Sequence, residues 1–173
     1  MIITVSGFSG TGTSTICRML RARLGYAYID AGSIYRYEAG LLKMSLPEFL
    51  VYCDNKPEFH KAVDTKMIEF AKTYPNCILE GRISGWMLAR EGIAGLKILF
   101  TAPLEICAER VSKRDHLTYE QAYKANQHRN ETDKKRYMDL YQIDVDDHSI
   151  YDVIFDTSKY LIEQEVEGII DML

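Results

Sequence analysis

The sequence predicts an α/β fold: a five-stranded parallel sheet with helices on both faces, in three layers. Three observations carry this. A glycine-rich stretch, Gly7-Phe8-Ser9-Gly10-Thr11-Gly12-Thr13-Ser14-Thr15, joins an apolar run, Ile2-Ile3-Thr4-Val5, to a helical pattern from Ile16 to Leu24. Four further short apolar runs alternate with helical segments, as right-handed crossovers between parallel strands require. The clearest run, Leu96-Lys97-Ile98-Leu99-Phe100-Thr101-Ala102, is nearly all apolar, which suits a sheet covered on both sides.

The length of 173 residues fits one domain with a small mobile insert, and a hydrophobic fraction of 47% is ample for its core. Lys+Arg 21 against Asp+Glu 25 gives a net charge of -4, which argues against a protein that coats nucleic acid. No apolar run approaches membrane-spanning length, and the N-terminus enters a strand without a leader pattern, so a cytoplasmic protein is expected. Cys17, Cys53, Cys77 and Cys107 form no CxxC pair and read as buried, reduced thiols.

Strand, glycine turn and helix form the context of a phosphate cradle. Glycines let consecutive N–H groups turn inward, and the helix N-terminus adds its own unpaired donors. In the usual pattern, G-x-x-x-x-G-K-S/T, Gly7 and Gly12 are at the right spacing and Ser14 supplies the magnesium hydroxyl. Thr13 stands where the lysine belongs. A tight turn that binds nothing is the plain alternative, but three glycines and three threonines in nine residues exceed what a turn needs.

Gly25 reads as the stop of the first helix, and Tyr26-Ala27-Tyr28-Ile29 as a short buried strand. Asp30-Ala31-Gly32-Ser33 follows and caps a helix carrying Arg36 one turn in. Ligands of open α/β sheets bind beyond the carboxyl ends of strands, so Arg36 is a candidate phosphate clamp; a solvated arginine explains it equally well. Ser45-Leu46-Pro47-Glu48 has a serine cap, an early proline and the capping-box acid. Pro57 starts a longer helix through Phe59, Val63, Met67, Ile68 and Phe70 to Tyr74. No strand separates these two helices, which read as an inserted pair that closes over a ligand. His60 has no ligand-spaced partner and reads as an ordinary surface or helix histidine.

Cys77-Ile78-Leu79 is the next strand and ends in Glu80-Gly81-Arg82. Glu80 is placed to order a water on magnesium or orient a side chain, and Arg82 to reach a phosphate; a salt-bridged loop is the alternative. Trp86 and Met87 read as core-facing. Pro103 opens a helix to about Arg114, with Arg110 and Arg114 on one face. Thr118-Tyr119-Glu120-Gln121 is a capping box for a helix that sets Arg129, Asp133 and Arg136 on one face. Two arginines around an acid make a fixed fork for an anion, although self-paired charged faces are commoner. Glu131, Lys134, Lys135 and Asp139 belong to that ordinary class. Ser149 to Phe155 leads through a last strand to Asp156-Thr157-Ser158, and the final helix spans about Leu161 to Leu173.

The cradle and arginines 36, 82, 110, 114, 129 and 136 all fall in segments that flank the carboxyl edge. Phosphoryl transfer is mainly a matter of placing anions and spreading charge, which guanidinium forks do well in a closed site. No poised Asp or His base is evident, which suits a phosphate-bearing acceptor over a hydroxyl acceptor.

From Met1 to about Ser158 the chain resembles the nucleoside monophosphate kinases, and more narrowly the cytidylate kinases of archaeal type. The marks are Gly7 to Thr15, Asp30 to Arg36, Glu80-Gly81-Arg82 with Gly85-Trp86, Ala108-Glu109-Arg110, His128-Arg129 to Lys135-Arg136-Tyr137, and Ile143-Asp144 through Asp156-Thr157-Ser158. The resemblance implies a P-loop NTPase fold with helical NMP-binding and lid segments. It implies a core at 1-31, 75-112 and 143-173, an NMP-binding insert at about 32-74 and a lid region at about 113-142. It implies transfer of the ATP γ-phosphate to CMP or dCMP with Mg2+, by a monomer acting on small nucleotides without nucleic acid or membrane. Gly7, Ser9, Gly10, Thr11, Gly12, Thr13, Ser14 and Thr15 would hold ATP phosphates, Ser14 would meet the metal, and Arg110 and Arg114 would belong to the lid over ATP. Asp30, Gly32, Ser33, Arg36, Arg82, Arg129, Asp133 and Arg136 would form the acceptor site, the four arginines gripping the acceptor phosphate and the transferring group. Asp133 would help read cytosine or hold the arginines.

Two departures stand out. Thr13 replaces the lysine, and Ile83 follows Arg82 where the bacterial cytidylate kinases carry an acid and a larger insert, so base recognition must use other groups. Other readings are a kinase for another acceptor, such as AMP or a small metabolite, or a nucleotide-binding regulatory module without transfer activity.

Overall fold

A computed structural model describes all 173 residues, Met1–Leu173. In chain order the elements are β1 (Ile2–Gly7), α1 (Thr13–Leu24), β2 (Ala27–Asp30), α2 (Ala31–Leu41), α3 (Leu46–Asp54), α4 (Glu58–Thr73), β3 (Cys77–Glu80), α5 (Ser84–Arg90), β4 (Leu96–Thr101), α6 (Leu104–Asp115), α7 (Tyr119–Tyr141), β5 (Val153–Asp156) and α8 (Ile162–Ile170). The five strands are parallel, in the order β2-β3-β1-β4-β5.

Strand alternation divides the core into two layers. On one face Ile3, Val5, Ile78, Ile98 and Phe100 meet Ile16, Cys17 and Leu20 of α1 and Val166 and Ile169 of α8. On the other, Ile2, Cys77 and Leu79 pack against Met67 and Ala71 of α4 and Leu88 of α5. The expected strand after Gly25 exists, but β2 is only half-buried because it is the sheet edge.

The helix signals act as read. Ser45 and Thr118 form reciprocal capping boxes with Glu48 and Gln121. Asp30 accepts from Ser33 N at 2.7 Å and starts α2 directly, with no intervening loop. α3 and α4 hold their own small cluster, Phe49 and Cys53 with Ala39 of α2, apart from the main core. Ala108 and Val111 of α6 pack on Ala122 of α7. The register aligns Asp30 with Glu80 and Gly7 with Phe100, so the turns after β1, β2 and β3 open on one edge of the sheet.

Candidate active site

The Gly7–Thr15 loop fills the crossover between β1 and α1. Gly10 and Gly12 both have φ 91, a region closed to most side chains. At Gly10 a Cβ would also lie 2.7 Å from the Cα of Cys107. The loop's carbonyls are taken up by protein donors. Thr11 donates from N and Oγ1 to Phe8 O, Asn126 Nδ2 donates to Ser9 O at 3.4 Å, and Arg110 Nη1 to Gly10 O at 3.1 Å. The N–H groups of Ser9, Gly10 and Gly12 make no backbone hydrogen bond. Gly12, at the N-cap of α1, brings no capping side chain, and the first turn holds no acid. The first-turn donors are therefore open to an anion.

Glu80 closes the floor of this cradle from the end of β3. Its Oε1 accepts from Thr13 Oγ1 at 2.9 Å and Ser14 Oγ at 2.6 Å, and its Oε2 from Tyr28 OH at 2.5 Å. Burial, and then the facing Glu80 carboxylate, push the Tyr28 phenol far up, which keeps it a donor. No three His, Cys, Asp or Glu side chains gather anywhere into a metal cage. Magnesium does not need one: one or two carboxylates, waters and substrate phosphates suffice, so the Ser14 hydroxyl beside Glu80 fits that ion.

The α7 face forms the opposite wall. Asn126, Arg129, Asp133 and Arg136 follow one another at helical spacing, and Asn126 ties the face to the loop. Asp133 is 3% exposed and sits between two guanidiniums. Arg82 Nε lies 2.6 Å from Oδ2, and Arg136 Nη1 donates to Oδ1 at 2.6 Å. Arg82 also stacks 5.1 Å above the Phe8 ring, while its Nη1 is buried with no acceptor. Arg136 reaches back to Asp54 at the end of α3 at 2.8 Å. Burial works against its charge, but Asp133 and Asp54 outweigh it and raise its pKa. Arg129 is exposed and has no ion pair or hydrogen bond of its own; partial desolvation on the α7 face and then the Arg82 charge lower its pKa. The site thus holds an exposed, unpaired guanidinium beside a buried donor that has no acceptor.

The other residues expected here separate into groups. Arg36 is largely exposed and folds back on its own cap, 3.0 Å from Ser33 Oγ and 3.3 Å from Asp30 Oδ1, close over Gly32. Arg110 is tied to the loop and to the end of β5. Its Nη1 bridges Gly10 O and Thr157 Oγ1, and its Nη2 holds Thr157 O at 2.8 Å, so it links the loop to the segment after β5. Arg114 pairs with the adjacent Asp115 at 2.7 Å and does not share the Arg110 contacts. Thr15 is half-buried in the first turn of α1, where Arg18 donates to its hydroxyl at 3.4 Å.

Three polar side chains, His60, Asp64 and Glu165, are buried or half-buried. His60 is no surface histidine: it is 2% exposed, bound to Tyr35 OH at 2.6 Å and Asp54 Oδ1 at 3.2 Å, and burial followed by the Arg136 charge lowers its pKa. Its spacing to Val63 and Met67 puts it on the buried stripe of α4, a signal present in the sequence. Asp64, on the flank of that stripe, lines a slot with Tyr35, Arg82 and Tyr137; Met87, half-buried, lines the same slot beside the core residues Met67 and Leu79. Glu165 is 1% exposed on α8 with neither carboxylate oxygen bonded.

A family model described as the cytidylate kinase-like family matches residues 2–159. The chain belongs to this family. Curated relatives include the cytidylate kinase of Methanocaldococcus jannaschii, 42% identical over 174 residues that cover 100% of this chain and 95% of that protein. The cytidylate kinase of Pyrococcus abyssi is 44% identical over 160 residues, 92% of this chain and 86% of that protein. Among solved structures, shikimate kinase from Bacteroides thetaiotaomicron superposes with a TM-score of 0.66 at 14% identity, covering 99% of this chain and 97% of that one. An uncharacterized protein from Eubacterium ventriosum does so with a TM-score of 0.73 at 12% identity, covering 99% and 97%. At such identity the structural likeness speaks for the kinase fold alone, whereas family membership rests on the sequence. No helix of the chain is long and apolar enough to cross a membrane.

Proposed function

We propose that this chain is a cytidylate kinase, transferring the γ-phosphate of ATP to CMP or dCMP. The observation that carries the reading is the unpaired Arg129 on the α7 face that touches the cradle, beside the orphaned Nη1 of Arg82. Family membership and the names of the close relatives support the acceptor.

The loop N–H groups and the α1 N-terminus hold the ATP phosphates. Ser14 and Glu80 are the groups that would hold magnesium, which when bound neutralises charge between the phosphates. Arg82, Arg129 and Arg136 bind the acceptor phosphate and spread the charge of the moving group, with Asp133 fixing the outer two. Arg36 joins them by leaving Ser33 when an anion arrives. The acceptor already bears an ionised phosphate oxygen, so no general base is required. The helices of the 32–74 insert and the 113–142 region act as covers that exclude water. Thr13, donating to Glu80, serves the metal side of the site in place of a phosphate lysine.

ADP release measured with CMP, dCMP, UMP, AMP and shikimate as acceptors tests this. Turnover with CMP or dCMP well above the others is the expected result; equal or absent turnover with CMP rejects it.

A further inference from the structure

From the geometry we infer that Asp64 selects the base of the acceptor, its carboxylate taking a hydrogen bond from the exocyclic amine of cytosine. This rests on the kinase reading above and adds a residue outside the loop and the arginine wall.

The slot that Asp64 lines lies between α2, α4, the turn after β3 and α7. Its walls are aromatic and apolar, from Tyr35, Tyr137, Ile68 and Met87, as a stacked planar ring would require. Arg82, which pairs with Asp133, lines it too, so a base in the slot would have its phosphate side toward the arginine cluster. Inside this lining, Asp64 is the one carboxylate. Tyr141 OH donates to its Oδ2 at 2.6 Å, and no protein group donates to Oδ1. Burial raises its pKa to about 6, against the pull of Tyr141 and Arg136. A carboxylate half-supplied with donors in apolar surroundings gains from an N–H brought by a ligand.

Cytosine presents such a donor at position 4, and uracil presents a carbonyl oxygen there, which a carboxylate repels. A polar group built to meet one substrate donor rejects an analogue lacking it. Ile83 stands next to Arg82 and cannot perform this reading. As it stands the slot encloses about 20 Å³, room for a water, so entry of the ring requires α4, which carries Asp64 and Ile68, to move away from α2 and α7.

The test compares CMP with the 2-pyrimidinone ribonucleotide, which is CMP without its exocyclic amine. With the native chain the analogue should lose roughly tenfold or more in affinity by calorimetry and in kcat/KM. In Asp64→Ala the two nucleotides should become equivalent within about threefold, while the KM for ATP stays near native. Asp64→Asn, whose amide can turn its NH2 outward, should gain turnover with UMP. Tyr141→Phe keeps the carboxylate and should keep the discrimination. Equal affinity of the native chain for CMP and the analogue overturns the assignment without any variant, as does undiminished discrimination in a folded Asp64→Ala. Absence of any CMP turnover by the native chain rejects the kinase reading instead, and the calorimetric comparison still decides Asp64.

Discussion

Ser14 Oγ donates to Glu80 Oε1 at 2.6 Å, across a gap of 66 residues in sequence. The contact joins the first helical turn after the cradle to the end of the neighbouring strand. It sets a hydroxyl and a carboxylate side by side at the start of α1, next to loop N–H groups that have no protein partner.

Glu80→Gln preserves the shape of this contact and removes its charge. The magnesium concentration for half-maximal turnover should rise about 10–100-fold with the ATP site intact. A magnesium titration at saturating ATP measures it, and an unchanged midpoint would separate Glu80 from the metal.

Thr13→Lys restores the usual loop residue. Here Thr13 Oγ1 is bound to Glu80 Oε1 at 2.9 Å, and its methyl lies 2.9 Å from where a Gly7 Cβ would be. A lysine would pair with Glu80 and draw it from Ser14. The kcat should therefore rise by no more than about threefold; a larger gain would show that the native loop is impaired.

Asp133→Asn leaves Arg82 and Arg136, each with a side chain only 12% exposed, without their shared counter-charge. Breaking a buried ion pair on one side costs about 3–5 kcal/mol. Urea unfolding should show a loss of that order, and turnover should fall with it because the arginines lose their positions.

Glu165 gives a pH signature. Burial raises its pKa from 4.5 to about 7, with Arg110 opposing and Asp156 adding to the rise. An acid whose folded pKa is raised favours the fold while protonated, so its contribution falls as pH climbs from about 4.5 to 7. Glu165→Gln should stabilise the protein at pH 8, by up to about 3 kcal/mol, and make little difference at pH 4. Thermal melts of both chains across that range check it; an equal effect at both ends would contradict it.

The sequence made the cradle legible because its parts are contiguous: glycines at Gly7, Gly10 and Gly12 need no distant partner to show that the backbone turns tightly. The α7 face was legible for the same reason, since Arg129, Asp133 and Arg136 are related by helical geometry alone. What could not be read is pairing between elements. Arg82 meets Asp133 from 51 positions away (133 against 82), and Arg110, grouped with Arg114 by helical spacing, is instead committed to Gly10 and Thr157. His60 and Glu165 were readable in principle. Each sits in phase with an apolar stripe, His60 with Val63 and Met67, Glu165 with Val166 and Ile169.

The most direct measurement of the central claim is the single-turnover rate of Arg129→Ala with CMP, ATP and magnesium. Arg129 has no protein partner to lose, so stability should change by less than about 0.5 kcal/mol. The rate should drop about 10³-fold, as for other arginines that meet the moving phosphoryl group. A folded variant that retains its rate within about threefold would contradict the account.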